Sequence, residues 1–170
     1  MCIRDSSGSS LGISKVKNES EILIALEKAR EIDPRILIEE GLEVREIECG
    51  IIGKSKLLTS EIGEVKYESD WYDYDSKYYS NNKIIIPAEI DSEITKEIKE
   101  IAIQSCRALN IFGFARVDFF LEKSSNKILL NEINTIPGFT KNSMFPMLWK
   151  ASGLNIEQLV AKLVDISLDL

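Results

Sequence analysis

Between Arg116 and Asn134 the side chains alternate in character so regularly that the backbone has little choice of conformation. Val117, Phe119 and Leu121 fall on one side of an extended chain and Arg116 and Asp118 on the other, the period-two pattern of a half-buried strand. A second extended run ending in Asn131-Glu132-Ile133-Asn134 follows Ser124-Ser125-Asn126, which predicts a hairpin turning about those three residues. A symmetric register sets Asp118 opposite Glu132 and Arg116 opposite Asn134. Directly opposed residues have Cβ atoms roughly 4.5–5.5 Å apart, and two carboxylates at that spacing repel each other and weaken the sheet. Two readings are open. In one, the acids are simply solvated on an exposed sheet face. In the other, a divalent cation between them reverses the sign of the interaction. Asp118, Glu132 and the Asn134 amide offer only oxygen, which suits Mg²⁺ completing its shell with water and substrate phosphates. That second reading implies a nucleoside triphosphate.

Composition narrows the choice further. A chain of 170 residues, 44% of them hydrophobic, can bury one ordinary core, or one domain plus part of another. Its net charge of −7 argues against a non-specific nucleic-acid binder, which needs clustered Lys and Arg to release counterions. No apolar run approaches the roughly 18 residues of a membrane span, and the first residues lack a charged segment followed by an apolar one. Neither a membrane nor an export role is expected, and a cytoplasmic setting fits best. Cys2, Cys49 and Cys106 are odd in number and contain no CxxC pair, so reduced thiols are expected. The chain has no histidine, which excludes His-based triads and His-ligated metals within it.

Residues 1–6 show no periodicity and read as a cut end or a foreign leader. Ser7-Gly8-Ser9-Ser10-Leu11-Gly12 is either a flexible loop or one whose N–H and OH groups fold over phosphates. Asn18 or Ser20 can cap a helix with Ile22, Leu23, Leu26, Ala29 and Ile32 on its apolar side, ended by Asp33-Pro34. Residues 35–39 then read as a short buried strand. Residues 45–53 and 56–59 read as strands with Gly53 at the turn, and residues 61–65 as a further one. Residues 67–82 are aromatic and charged without apolar periodicity, a long loop that is either solvated surface or a lid. Ile84 to Ile86 form a short strand, and Asp91 caps a helix carrying Ile94, Ile98, Ile101, Ala102 and Leu109. Pro146 fits the first turn of a short helix closed at Gly153. Asn155 with Gln158 starts a final helix, amphipathic through Leu159, Val160, Leu163 and Val164.

Several of these pieces occur together in an informative order: Gly8-Ser-Ser-Leu-Gly12, Ile38-Glu-Glu40, Arg45-Glu46, Tyr72-Asp-Tyr74 with Lys77-Tyr78, Gly113-Phe-Ala-Arg116-Val-Asp118, Asn131-Glu-Ile-Asn134-Thr-Ile-Pro-Gly138 and Ser143-Met144. Each is weak alone, but their order and spacing resemble the C-terminal half of the D-alanine–D-alanine ligases, ATP-grasp enzymes of peptidoglycan synthesis. The resemblance covers about residues 7–170. It implies an α+β ATP-grasp fold, an antiparallel sheet flanked by helices. Residues 7–39 would be a remnant of the central ATP-grasp subdomain, and residues 40–170 the C-terminal domain with an ω-loop at about 67–82.

The resemblance also implies a reaction: ATP-dependent joining of two D-alanines through an acyl phosphate. This chain would carry the ATP, Mg²⁺ and second-substrate half. Asp118 would hold one Mg²⁺ (or Mn²⁺), Glu132 would bridge two, and Asn134 would hold the second. Arg116 and the Gly138 N–H would face the oxyanion of the tetrahedral step. Ser143 and the backbone of Met144 would bind the carboxylate of the second D-alanine near a helix N-terminus. Glu39, Glu40, Gly41 and Leu42 fall at the adenine hinge and Glu46 at the ribose. Lys77 would reach the γ-phosphate, and Tyr78 would hydrogen-bond toward the Ser9 loop to close the site. The family's N-terminal domain, which binds the first D-alanine, has no counterpart in these residues, so the chain by itself is expected to be inactive. Full-length members are often homodimers. Related D-alanine–D-lactate or D-serine ligases, and a fragment that binds Mg-nucleotide without turnover, are the alternatives.

Overall fold

The computed structural model describes residues 2–5, 13–66 and 83–168. Its elements in chain order are β1 (Cys2–Asp5), β2 (Ser14–Lys15), α1 (Ile22–Arg30), β3 (Ile36–Glu39), β4 (Val44–Gly53), β5 (Leu57–Lys66), β6 (Lys83–Ile85), α2 (Ser92–Ala108), β7 (Gly113–Glu122), β8 (Ile128–Asn134), α3 (Met144–Ala151) and α4 (Ile156–Leu168). They fall into two units, one drawn from the residues up to Glu43 and the other from Val44–Lys66 and the residues from Ile84 onward.

The larger unit is built on a five-stranded sheet of order β6-β5-β4-β7-β8, in which the β5–β4, β4–β7 and β7–β8 pairs are antiparallel. Alternation decides its faces. Ile47, Cys49 and Ile51 of β4 share one face with Ala115, Val117, Phe119 and Leu121 of β7, and all are buried. Helix α2 covers that face with Ile98, Ala102 and Cys106, spaced four residues apart as a helical stripe requires. Leu109, expected on this stripe, instead follows the helix as its C-cap and is exposed, because the stripe runs through Cys106 and the helix ends first.

The opposite face is covered at one end by α3 and α4. Two glycines allow this: a Cβ on Gly50 would lie 2.8 Å from the indole nitrogen of Trp149, and one on Gly63 would lie 2.8 Å from Leu148 Cδ2. Ile52, Phe145, Trp149 and Leu159 form the core there, with Phe114 and Phe139 packed against them. Gly153, at φ +91°, ends the α3 segment as expected. The capping box at α4 is complete: Asn155 N–H donates to Gln158 Oε1 at 3.0 Å and Gln158 N–H to Asn155 Oδ1 at 2.9 Å. Val160 and Val164, expected on the buried side of α4, are exposed; Leu159 and Leu163, expected there too, make the contact together with Ile166.

The runs 56–59 and 61–65, expected to be separate strands, are the single strand β5. Their apparent break is a bulge, where the register against β4 shifts between Cys49 and Ile51. The buried Ser60 hydroxyl repairs the ladder by accepting from Gly50 N–H at 2.8 Å and donating to Glu61 O at 2.6 Å. Gly53 occupies the β4–β5 turn at φ +133°, where a Cβ would fall 2.1 Å from the Lys56 carbonyl oxygen.

The smaller unit is a three-stranded sheet of order β2-β1-β3 with α1 against it. Residues 2–5, set apart in the sequence as a leader, supply the central strand, antiparallel to both neighbours. Val16, Ala25 and Ala29 are its core, with Ile22, Leu26 and Ile36 packed around them. The apolar stripe of α1 thus runs through Ala25, not Leu23, which is exposed together with Ile32. β3 forms as expected but is not buried: Leu37 is 46% and Ile38 55% exposed, since α1 has only nine residues with which to cover the sheet.

Candidate functional site

The β7–β8 ladder pairs Asp118 with Glu132 and Arg116 with Asn134, the register expected from the alternation. Nearer the turn the pairing slips by one residue, to Phe119 with Leu130 and Leu121 with Ile128, because a bulge falls between Asp118 and Phe119. The symmetric hairpin therefore holds at the acidic end and not at the turn. On its other side β7 pairs with β4, and there Glu48 stands opposite Asp118. Three carboxylates, Glu48, Asp118 and Glu132, lie in one row across three strands. Glu48 is not among the residues expected at this site from the sequence. Its signal was present in Glu46-Ile-Glu48-Cys49, where the acids alternate with buried Ile47 and Cys49 and so share a face.

Arg116 sits among these acids. Its Nε and one terminal nitrogen donate to the two oxygens of Asp118, each at 2.7 Å, in a fork-to-fork pair. Its Nε also lies 2.9 Å from Glu48 Oε2. All three side chains are largely shielded from solvent, with 12–18% exposed. Burial works against the guanidinium charge, but the bond to Asp118 and the charges of Glu48, Asp118 and Glu132 outweigh it and hold the pKa of Arg116 above its ordinary value. Among the described residues one guanidinium faces three carboxylates, leaving two negative charges in excess.

The chemistry of this donor set fits a hard divalent cation: two directly opposed carboxylates and an amide, all oxygen donors, carrying uncompensated negative charge. Among the described residues no three His, Cys, Asp or Glu side chains converge tightly enough to chelate an ion by themselves. A bound ion would therefore take further ligands from Asn134, water or substrate. Asn134 is oriented for this by the Ile136 N–H, which its Oδ1 accepts at 3.1 Å and which starts the turn toward Gly138.

Gly138 and Ser143 are brought together beyond that turn, since a Cβ on Gly138 would lie 3.0 Å from Ser143 Oγ. Ser143 occupies the N-cap position of α3 but makes no capping bond with its side chain. Its hydroxyl instead accepts from Thr140 N–H at 3.0 Å and pairs with Thr140 Oγ1 at 2.9 Å. Met144 is the first residue of α3, where backbone N–H groups lack helical partners. Glu46 is on β4, opposite Phe120 and Val65 and on the same face as Glu48. In the smaller unit Glu39 ends β3, and Glu40, Gly41 and Leu42 follow it outside regular structure. Ser9, Lys77 and Tyr78 lie outside the described residues.

Comparison with known proteins gives this arrangement a family. The family described as D-ala D-ala ligase C-terminus matches residues 4–165. A D-alanine–D-alanine ligase of Prochlorococcus marinus (strain MIT 9301) is 93% identical over 164 residues, which is 96% of this chain and 46% of that protein. A relative of the same name from strain NATL2A is 50% identical over 161 residues, 94% of this chain and 46% of its own length. The chain thus spans about half the length of the curated relatives it matches. Among solved structures, the VanG D-Ala:D-Ser ligase from Enterococcus faecalis superposes with a TM-score of 0.87 at 38% identity, over 97% of this chain and 48% of that one. The D-alanine–D-alanine ligase from Coxiella burnetii gives 0.85 at 34% identity, over 99% and 44%. The fold is therefore the α+β ATP-grasp fold of these ligases, and the chain belongs to the D-ala D-ala ligase C-terminus family.

Proposed function

We propose that this chain is the ATP-, Mg²⁺- and second-substrate-binding half of an enzyme that joins two D-alanines into D-alanyl-D-alanine for peptidoglycan synthesis. The observation that carries the reading is the pairing of Asp118 with Glu132, with Arg116 opposite Asn134 and the turn to Gly138 and Ser143 directly after it.

Asp118, Glu132 and Asn134 hold the divalent cations. When bound, Mg²⁺ neutralises the β- and γ-phosphates of ATP so that a carboxylate can approach them. The carboxylate of the first D-alanine attacks the γ-phosphorus, the bond from that phosphorus to the β-phosphate oxygen breaks, and ADP leaves an acyl phosphate behind. The amine of the second D-alanine then attacks that carbonyl and phosphate leaves. Negative charge gathers on the carbonyl oxygen in this step, and Arg116 with the Gly138 N–H is the donor pair that faces it. Gly138 is fixed beforehand by the turn, and Arg116 is kept on this face by its acidic neighbours, which is what makes such donors effective. Ser143 and the Met144 N–H hold the carboxylate of the second D-alanine, with Thr140 orienting the hydroxyl. The sequence motifs assign adenine contacts to Glu39, Glu40, Gly41 and Leu42, the ribose to Glu46, the γ-phosphate to Lys77 and closure of the site to Tyr78 with Ser9. The setting is cytoplasmic, and full-length members of the family are often homodimers. No helix among the described residues is long and apolar enough to cross a membrane.

Calorimetric titration of Mg-ATP into the chain and its Glu132→Gln variant tests the cation and nucleotide reading. Changing an outer-shell partner of a metal ligand costs 10–100-fold in affinity, so losing a direct ligand should cost on the order of tenfold or more. Equal affinities would refute it. A second reading, D-serine as the incoming amino acid, is favoured by the superposition on the D-Ala:D-Ser ligase. Joining this chain to the N-terminal half of its 93% identical relative and offering D-alanine, D-serine and D-lactate separates the two by phosphate release. D-alanine is expected to be the preferred substrate. The chain without that half is expected to bind Mg-nucleotide and not turn it over.

A further inference from the structure

The oxygens of Asp118 assigned above to a cation are both engaged by Arg116. A cation that takes them must displace the guanidinium. The displaced group is largely shielded, so moving it without a partner would leave a buried charge uncompensated, which is costly. Glu48 lies where such a partner is needed. Its Oε2 is 2.9 Å from Arg116 Nε, and it stands opposite Asp118 on the adjoining strand. The single Nε–H is aimed at Asp118 Oδ1, so the approach to Glu48 is a charge contact that lacks an aligned hydrogen bond. A small rotation of the guanidinium converts one into the other. Among the described residues charge also balances: three carboxylates and one guanidinium leave a deficit of two positive charges, which one divalent cation fills.

We infer that Glu48 is a positioning residue that receives Arg116 when a divalent cation takes Asp118, keeping the guanidinium on the substrate face of the sheet. The inference rests on the reading of Asp118 as a cation ligand. It makes Arg116 a resident counter-ion that occupies the site until the cation arrives, and Glu48 the acceptor that makes the exchange easy.

Binding of Mn²⁺ alone, followed by electron paramagnetic resonance, tests this on the whole chain and four variants: Asp118→Asn, Glu48→Gln, Arg116→Met and the Glu48→Gln/Arg116→Met double. Glu48→Gln should weaken Mn²⁺ binding roughly tenfold, the size of one charge-assisted hydrogen bond. Arg116→Met should tighten it, and in that background Glu48→Gln should change affinity by no more than about twofold, because Glu48 acts through Arg116. If Glu48→Gln weakens binding equally in both backgrounds, Glu48 acts directly on the ion and the inference is overturned. No effect in the wild-type background overturns it as well. The Asp118→Asn arm reports separately on the underlying reading: wild-type affinity there would refute the cation site itself, and the inference with it. Should Arg116→Met unfold by circular dichroism, Arg116→Lys replaces it, since lysine keeps the charge but cannot form the fork. The Nε–H proton resonance of Arg116 supplies a signature that a static role would not give. It should shift on adding Mg²⁺ in wild type and not in Glu48→Gln, and an unchanged wild-type resonance at saturation would overturn the exchange.

Discussion

Arg45 and Arg116 both grip a carboxylate with a two-pronged fork on the same sheet, and they serve opposite ends. Arg45, on the α2 face, bonds Glu64 through Nε at 2.8 Å and a terminal nitrogen at 2.7 Å, and gives a third bond to the Glu89 carbonyl. Lys66 stands 3.8 Å from Glu64 and 4.0 Å from Glu89. Two cations and two acids close that cluster, and Glu64 is only 2% exposed. The bond to Glu64 holds the pKa of Arg45 above its ordinary value, with burial as a weaker opposing influence. Around Arg116 the same fork meets three acids and, among the described residues, no second cation. A balanced cluster is finished by folding. An unbalanced one is held in place by the fold and finished by something that binds.

The largest expected effect comes from breaking the closed cluster. Arg45→Met strands a buried carboxylate, a change that costs 3–5 kcal/mol when nothing else compensates. Lys66 and the partial exposure of Arg45 put the expectation at the lower end, about 3 kcal/mol in urea unfolding. Adding Glu64→Leu should restore most of the loss, since an apolar pair avoids the desolvation of both charges. A loss below about 1 kcal/mol for the single change would place Arg45–Glu64 with ordinary surface pairs.

Next in size is the effect that should separate the two clusters. Mg²⁺ at a hundred times its dissociation constant should stabilise the chain by about 2.7 kcal/mol if it binds only the folded form. Asp118→Asn should abolish that gain, while Arg45→Met should keep it on top of its lower starting stability. Equal losses in both variants, measured as the shift of the thermal midpoint on adding Mg²⁺, would contradict the contrast between a finished and an unfinished cluster.

The site was more legible in the sequence than the packing around it. Asp118 opposite Glu132 follows from alternation and a turn, both local properties. The bulge near Phe119 left that register intact because it falls on the turn side of the pair. Glu48 joins the site from a strand nearly 70 residues away, through the β4–β7 pairing, and no local pattern states which strands pair. The capping box at Asn155 and the turn at Gly53 were legible for the same local reason as the hairpin. Leu23, Leu109, Val160 and Val164 were misplaced because apolar periodicity shows that a helix has a buried side. It does not fix the stripe's edge when Ala25 or Cys106 is what the neighbouring element touches. The roles of Lys77, Tyr78 and Ser9 rest on motifs alone, because neither alternation nor helical spacing says what a residue in such a stretch of sequence meets.

The smallest effect tests how dry the closed face is, using a residue adjacent to Glu48 in the chain. Cys49 points to the α2 side and is fully buried, and burial pushes its thiol up to about 12, against weaker downward pulls from Lys99 and Ser60. In the unfolded chain the thiol ionises near its ordinary value of 9.0. Between those values the unfolded chain has released a proton that the folded chain still holds. Stability from this group is therefore complete below about pH 9 and is lost as pH rises toward 12. Other groups titrate in the same range, so the informative quantity is the difference between wild type and Cys49→Ala. Wild type should be the more stable at about pH 8, where the variant has a small cavity. Its advantage should shrink by about 1 kcal/mol for each pH unit above the ordinary thiol value. An advantage that stays constant to about pH 10 would mean that water reaches β4 from the α2 side too. The Arg45 cluster would then owe its closure to its charge balance and not to a dry face.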